Sequence, residues 1–274
     1  MMEGLIYSDK DLSRRLERTE AQANADFVEA RASMEPESGA AWLDISGTYA
    51  MYDGAESPLT QTFGLGLFSD SFEEDLEKAE EFFITREAPV FHEVSPMTDP
   101  SLLGVLVERD YHPIEFSSVM FRELSDFEPG AETKFTTRII DGEEADLWAR
   151  TAASGWATEF DGIEEFMFSM GRLTVNAKRT KPFLVELDGS PVATGGFGIY
   201  DDICILAGAS TVPEARRQGA QSALLSARLG YGREKGCSLA MMCAAPGSQS
   251  QKNAQKNGFK IAYTRIKWQL ATGT

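Results

Sequence analysis

Residues 203–243 most strongly constrain the fold of this chain. An apolar run at 203–212 is followed by a helical pattern at 218–235, and a second apolar run occupies 238–243. In the helical stretch Ala220, Ala223 and Leu224 recur at helical spacing, with Ala227 and Leu229 continuing the apolar side. A strand, helix and strand in this order form the crossover that joins parallel strands. The segment therefore predicts a sheet with a helix packed against it.

The other apolar patterns predict a mostly antiparallel sheet around this crossover. Asp188 and Gly189 are a hairpin turn signal between strands at 183–187 and 191–200. Further helices are predicted at 8–33, 72–83, 100–109, 143–154, 163–170 and 248–257, and further strands at 42–51, 61–68, 89–94, 114–122 and 259–270. The expected class is α+β, a three-layer arrangement of a mixed, mostly antiparallel sheet flanked by helices.

The length of 274 residues favours two domains. Residues 125–133 are rich in Asp, Glu, Pro and Gly, as in a linker. We therefore place the boundary there, with domains at 1–130 and 131–274.

The net charge of −17 argues against phosphate-rich partners such as nucleic acids and anionic membranes. No apolar stretch is long enough to span a bilayer, and the first eleven residues lack a signal-peptide pattern. A cytoplasmic location is expected. Cys204, Cys237 and Cys243 have no metal-ligand spacing, and an odd number cannot form a closed disulfide framework, so buried free thiols are expected.

The chemically informative segment is the connection at 211–221, with the sequence TVPEARRQGAQ. The first turn of a helix has unpaired backbone N–H groups and carries the positive end of the helix dipole. Gly219 would let a phosphate approach the backbone closely. Arg216 and Arg217 add positive charge in an otherwise acidic chain. A pyrophosphate would fit this junction, although an ordinary turn with two solvated arginines is the simpler alternative.

This junction resembles the acyl-CoA loop of the GNAT acetyltransferases, which reads Arg or Gln, two residues, Gly, one residue, then Gly or Ala. Residues 216–220 match that register, whereas Gln221 replaces the usual small residue, so its side chain must point away from the pyrophosphate. The resemblance implies a bulge in the preceding strand, with Gly208 as the candidate position. It implies an acetyl-CoA site formed by Ser210, Thr211, Val212, Arg216, Arg217, Gln218, Gly219, Ala220 and Gln221.

Residues 248–259 resemble the family helix that lies beside the pantetheine and ends in Gly-Phe. Asn253 stands where relatives often hold the pantetheine amide, and its alternative role is a solvated helix residue. Relatives commonly place Tyr four residues before that Gly to protonate the CoA thiolate, but this chain has Ala254. The general acid is therefore unassigned, with Tyr263 in the last strand as a candidate.

The first half also resembles the family, because a helix, Asp110-Tyr111 and a strand to Arg122 look like its closing helix, Gly-Tyr and strand. No arginine-rich glycine loop precedes them. The resemblance thus implies a tandem protein whose first GNAT-like domain is degenerate and has lost cofactor binding.

Acyl transfer to an amine requires a neutral nucleophile, and alkyl ammonium groups have a pKa of about 10.4. Glu159 and Asp161 are candidates to accept the proton, as are Asp201 and Asp202. Backbone N–H groups near Val212 would polarise the thioester carbonyl. The expected acceptor is a primary amine of a small molecule or peptide. The alternative is a non-catalytic acyl-CoA sensor or structural protein. No metal site is expected, and the chain is expected to be a monomer or homodimer.

Overall fold

The computed structural model describes residues 6–130, 133–157 and 162–271. The chain divides into two compact units. The first unit contains Met1–Phe121 and Cys243–Thr274, and the second contains Arg122–Met242. The linker pattern at 125–133 predicts that residues 243–274 belong to the second domain, whereas they belong to the first compact unit.

The helices and strands follow the order that the sequence patterns indicated. The helices are α1 (Lys10–Met34), α2 (Phe72–Ile84), α3 (Ser101–Glu108), α4 (Ala145–Trp156), α5 (Ile163–Asn176), α6 (Ala220–Glu234) and α7 (Gln249–Lys256). The strands are β1 (Ala41–Ile45), β2 (Thr48–Tyr52), β3 (Gln61–Phe63), β4 (Phe91–Val94), β5 (Tyr111–Glu123), β6 (Phe135–Ile139), β7 (Phe183–Leu187), β8 (Ser190–Tyr200), β9 (Ile203–Thr211), β10 (Leu239–Ala244) and β11 (Lys260–Leu270). No described helix is long and apolar enough to cross a membrane.

The first unit has the strand order β1-β2-β3-β4-β11-β5, in which only β3 and β4 are parallel. Its core is divided by the sheet, since neighbouring strand residues face opposite sides. Tyr49 and Met51 of β2 pack with α1, whereas Ala50 belongs to the cluster that contains α2 and α3 side chains. The unit is therefore a three-layer arrangement.

Two predicted strands of this unit are shorter than expected because of left-handed residues. Residues 42–51 form a hairpin, since Ser46 and Gly47 have φ angles of 51° and 96° and make the turn between β1 and β2. The predicted strand at 61–68 ends at Phe63, because Gly64 and Gly66 have φ angles of 83° and 72°.

The second unit has the strand order β10-β9-β8-β7-β6, and β9 and β10 are its parallel pair. A Cβ on Gly195 of β8 would meet Arg228 and Leu224 of α6, whereas one on Gly196 would meet Thr174 of α5. Helices α6 and α5 thus cover opposite faces. The predicted fold class, a mostly antiparallel mixed sheet flanked by helices, is confirmed.

Strand β6 was not predicted. Its sequence FTTRI lacks a regular alternation of apolar and polar residues, and its side chains are half-buried or exposed. Pairing with β7 from Phe135 to Ile139 gives it strand geometry.

A buried ionic cluster joins α1 to the sheet of the first unit. The Arg265 guanidinium, on β11, forms ion pairs with Glu17 and Glu20 of α1 and with Glu93 of β4, at 3.1, 2.8 and 2.8 Å. The Tyr263 hydroxyl donates a hydrogen bond to Glu17 Oε1 at 2.9 Å. Burial raises the pKa of Glu17 to about 7, against the opposing effect of Arg265. One carboxyl of the cluster thus retains a proton at mildly acidic pH.

The Glu17 cluster predicts that stability falls as pH rises through about 7. The folded-state pKa is raised above the unfolded value, so the contribution is full below about 4.5 and is lost as the folded carboxyl ionises near 7. The loss attributable to Glu17 is on the order of 3 kcal/mol. Glu17→Gln should flatten this dependence in denaturant titrations between pH 5 and 8, whereas exposed Glu81→Gln should retain it. An equal pH dependence of the free energy of unfolding in the unmodified protein and both variants would contradict the raised pKa of Glu17.

A second prediction concerns the contact of α4 with β9. A Cβ at Gly155 would lie 2.7 Å from Ser210 Cβ and 2.9 Å from the Thr211 backbone nitrogen. Gly155→Ala should therefore lower the free energy of unfolding by about 1–3 kcal/mol. Gly142→Ala is the control, because a Cβ there meets nothing within 4 Å. Denaturant midpoints that fall equally in both variants would disprove the close contact.

Candidate functional site

The end of β9 contains a β-bulge. Gly196 pairs with Ala207, but Thr194 pairs with Ser210, so two β9 residues stand opposite the single residue Gly195. Gly208 is one of these two residues and has a φ of 60°, which favours glycine. The predicted bulge at Gly208 is confirmed.

Beyond this region, one edge of β9 is open. β10 pairs with β9 over three residues, from Leu239 opposite Ile203 to Met241 opposite Ile205. β9 continues to Thr211, and both Ala207 and Gly208 are exposed although β9 is an internal strand of its sheet. Within the described residues, the edge of β9 that faces away from β8 lacks a strand partner after Ile205. Its backbone groups can therefore bind an extended amide-bearing ligand.

The connection from β9 to α6 leaves the helix N-terminus accessible. After a 3-10 turn at Pro213–Ala215, Arg217 and Gly219 have φ angles of 62° and 99°. Gly219 is the N-cap of α6, and no side chain of the described residues caps this end. A Cβ at Gly219 would find its nearest contact at 3.7 Å, on the Phe135 ring. The N-terminus of α6 is thus uncapped and sterically open at Gly219, as an anion site at a helix N-terminus requires.

Positive side chains surround this helix end. Arg217 is exposed, and Arg216 anchors the loop, since its Nη2 donates to the Gly155 carbonyl at 2.8 Å and its Nε to the Thr211 carbonyl at 3.3 Å. Lys134 Nζ donates to Gln218 Oε1 at 2.9 Å and thereby adds a third cation. Sequence reasoning missed Lys134 and Gly155, because both are far from the loop in sequence and neither belongs to its motif.

The other predicted loop residues attach the end of β9 to α4, β8 and α6. Ser210 Oγ donates to the Ala152 carbonyl at 3.2 Å and can accept from Thr194 Oγ1 at 3.0 Å. The Gln221 amide donates to Thr211 Oγ1 at 2.7 Å, so its side chain is turned toward the end of β9. Ala220, the first residue of α6, is buried. The side chains of these residues therefore support the loop.

The three catalytic candidates are Glu159, Asp161 and Tyr263. Glu159 and Asp161 lie outside the described residues. Tyr263 is buried in the first unit, and its hydroxyl proton is donated to Glu17. Burial raises the pKa of Tyr263 well above its usual value. The Tyr263 hydroxyl is therefore engaged within the first unit.

The remaining candidates for the chemistry are Asp201, Asp202 and the backbone N–H of Val212, and their positions limit what they can do. Asp201 and Asp202 precede β9, roughly 30 Å along the strand from Val212 at about 3.3 Å per residue. The Val212 N–H donates to the Val192 carbonyl at 2.9 Å, so this amide is not free to polarise a thioester. Of the backbone donors near Val212, those on the open edge of β9 are the remaining candidates.

Asn253 lies on α7 in the first unit. Its side-chain oxygen accepts a hydrogen bond from Gln249 Nε2 at 2.8 Å. Ala254, at the position where relatives of the family have Tyr, is buried. α7 is followed by Gly258, whose φ of 82° ends the helix as the sequence predicted.

The first unit contains the same crossover without an accessible loop. β3 and β4 are parallel and joined through α2, as β9 and β10 are joined through α6. In the connecting loop Leu65 and Leu67 are fully buried, and a Cβ at Gly66 would lie 2.1 Å from Thr98 Oγ1. The first turn of α2 contains three acidic residues. The side chains of this loop therefore fill the space where a ligand would bind. The acidic residues at the start of α2 would repel an anion.

Comparisons with known proteins agree with this geometry. The profile of the Acetyltransferase (GNAT) family matches residues 145–259. A GCN5-related N-acetyltransferase from Kribbella flavida is similar over 91% of this chain and 96% of its own, at 19% identity and a TM-score of 0.61. A tandem GNAT protein from the clavulanic acid biosynthesis pathway is similar over 98% of both chains, at 12% identity and a TM-score of 0.60.

A further similar structure is a GCN5-related N-acetyltransferase from Sphaerobacter thermophilus, over 78% of this chain and 73% of its own, at 15% identity and a TM-score of 0.56. A search of curated proteins gave no significant match. At these identities the structural similarity establishes the fold, and the profile match applies to residues 145–259. The chain therefore has the fold of these GNAT structures with two GNAT-like halves, and its residues 145–259 match the model of the GNAT acetyltransferase family.

Proposed function

We propose that the chain is an N-acetyltransferase that moves an acetyl group from acetyl-CoA to a primary amine of a small molecule or peptide. The observation that carries the proposal is the pairing of an open β9 edge with an accessible, uncapped α6 N-terminus. The match of residues 145–259 to an acetyltransferase family supports acyl transfer as the reaction type.

The pyrophosphate would bind at the start of α6. Gly219 gives it access to the backbone N–H groups, and the helix dipole favours a negative group there. Arg217 and Lys134 add positive charge near the helix end, while Arg216 holds the loop in place. The local charge at this site is positive, whereas the net charge of the whole chain is −17. Local geometry and local charge thus favour the same ligand group.

The pantetheine arm would lie along the open edge of β9. An extended chain with two amides can replace the hydrogen bonds that β10 does not supply after Met241. Bound acetyl-CoA would supply the activated acyl group, and the acceptor amine would attack its carbonyl directly. No cysteine intermediate is invoked for Cys204 or Cys243. The hydrogen bond with Cys237, together with burial, raises the pKa of Cys204, and burial raises the pKa of Cys243, which disfavours both thiolates.

Glu159 and Asp161 remain our proposed proton acceptors. They follow the end of α4 in the chain, and the Arg216 hydrogen bond to the Gly155 carbonyl joins that end of α4 to the cofactor loop. A carboxylate in this segment would need only to remove a proton from the ammonium form of the acceptor.

A non-catalytic acyl-CoA sensor is the second candidate function. It is favoured by Ala254 at the usual Tyr position and by the engagement of Tyr263 with Glu17. Both functions require acyl-CoA binding, and only the enzyme releases CoA in the presence of an amine.

The direct test is calorimetric titration of the protein with acetyl-CoA, with NADH as the control ligand. Saturable binding of acetyl-CoA alone is expected, followed by release of CoA thiol in a screen of polyamines, aminoglycosides, amino acids and peptide N-termini. Binding without CoA release over the whole screen would favour the sensor. An absence of binding would reject both functions.

A sharper test uses the N-cap of α6. Gly219→Asp should abolish acetyl-CoA binding, because a carboxylate would occupy the proposed pyrophosphate position and repel it. The nearest contact of the new Cβ is at 3.7 Å, so the substitution causes no steric clash, and its cost to the fold is the backbone strain of a φ of 99°. Gly236→Asp is the matched control, since Gly236 is also left-handed, at φ 83°, and lies in open space after the other end of α6. Calorimetric affinity unchanged in Gly219→Asp would remove the phosphate-loop assignment.

A further inference from the structure

Arg228 is a buried cation on the sheet-facing side of α6. Only 3% of the residue is exposed, and it lies among the buried residues Leu224, Leu225 and Leu229. Its Nε has no hydrogen-bond partner, and no carboxylate among residues 6–130, 133–157 and 162–271 forms an ion pair with it. Desolvation lowers the pKa of Arg228 to about 10, which leaves the guanidinium charged at neutral pH.

A buried arginine without an ion-pair partner is unfavourable in a protein core. Burying an unpaired charge costs several kcal/mol, whereas a hydrophobic side chain of similar volume would fill the same space without that penalty. The position of Arg228 therefore calls for an explanation in the contact that its guanidinium makes.

That contact is with the backbone of β8 opposite the bulge. Arg228 Nη1 donates to the Gly196 carbonyl at 3.1 Å. A Cβ at the neighbouring Gly195 would lie 2.8 Å from the same nitrogen, so the guanidinium lies against a backbone stretch that lacks side chains. Gly195 is the residue that stands opposite the two bulged residues of β9. Arg228 thus binds β8 at the point where the regular ladder with β9 is interrupted.

The same helix carries the other end of the proposed acyl-CoA site. Gly219 and Arg228 are nine residues apart, about 13 Å along a helix at 1.5 Å per residue. The N-terminus of α6 would bind the pyrophosphate, and the open β9 edge beside the bulge would bind the pantetheine. Helix α6 therefore connects both parts, and the Arg228 hydrogen bond is its contact with β8 at the bulge.

We infer that Arg228 is a positioning residue that fixes α6 to the β8–β9 bulge and thereby sets the distance between the pyrophosphate and thioester ends of acyl-CoA. The inference rests on the proposed function. Arg228 acts through the backbone of β8 and contacts no substrate. Its loss should misplace the thioester relative to the pyrophosphate, while each part of the site remains formed.

The test compares Arg228→Met and Arg228→Lys with Arg233→Met as the control. Arg233 is on the same helix and also donates to a backbone carbonyl, that of Phe127, but is partly exposed and remote from the bulge. In Arg228→Met the Kd and the KM for acetyl-CoA should each rise about tenfold, and kcat should fall. The Kd for adenosine 3′-phosphate 5′-diphosphate, which has no pantetheine arm, should stay within about twofold. Arg228→Lys should recover part of the loss.

Gly195→Ala provides a second route if Arg228→Met does not fold, because the new methyl group would push the guanidinium from the bulge without removing the charge. Gly195→Ala should likewise weaken the binding of acetyl-CoA and leave the Kd for adenosine 3′-phosphate 5′-diphosphate nearly unchanged. Equal losses for both ligands, with no recovery in Arg228→Lys, would show a general structural role and overturn the inference. Unchanged acetyl-CoA binding and turnover in Arg228→Met would also overturn it. Failure of the unmodified protein to bind acetyl-CoA would instead refute the proposed function.

Discussion

The candidate site depends on the interruption of sheet pairing along β9. The strand is paired with β8 on one side throughout most of its length, but β10 leaves it after Ile205. An internal strand with an unpaired edge is unfavourable unless water or a ligand satisfies its backbone groups. The bulge at Gly208 redirects the chain at this point, and the following loop presents the N-terminus of α6. The open edge, the bulge and the helix terminus therefore follow one another within a short stretch of chain.

The two halves of the chain show how the same crossover can be open or closed. In the second unit the β9–α6 loop has an accessible glycine and nearby cations. In the first unit the β3–α2 loop buries Leu65 and Leu67, and acidic residues begin the helix. Filling a loop with apolar side chains stabilises it and removes the space for a ligand. This difference accounts physically for a first half that has the fold without an accessible loop at the helix N-terminus.

Buried charge is handled differently in the two units. Arg265 in the first unit is surrounded by three carboxylates, so the cluster carries an excess of negative groups and retains a proton on Glu17 near neutral pH. Arg228 in the second unit has no carboxylate partner among the described residues and donates to a backbone carbonyl. The first arrangement links a long helix to three strand residues. The second holds a helix to a place where strand pairing is irregular.

The sequence alone determined most of the element order, the fold class and the position of the proposed phosphate-binding loop, because these depend on local patterns. Apolar spacing located the helices, and the Arg216–Gly219 motif with Gly208 indicated the loop and the bulge. Short elements were less readable: the Ser46-Gly47 turn and strand β6 were missed, since tertiary pairing outweighs weak local preference there.

Only the tertiary structure decided which distant residues meet. It placed residues 243–274 in the first unit, engaged Tyr263 with Glu17, and used the Val212 N–H in pairing with β8. It also showed that Arg228, one polar residue within the apolar side of α6, binds the backbone at the bulge. A sequence pattern records whether a side chain faces the core. It does not record which backbone group or charge lies opposite, because that depends on the packing of segments far apart in the chain.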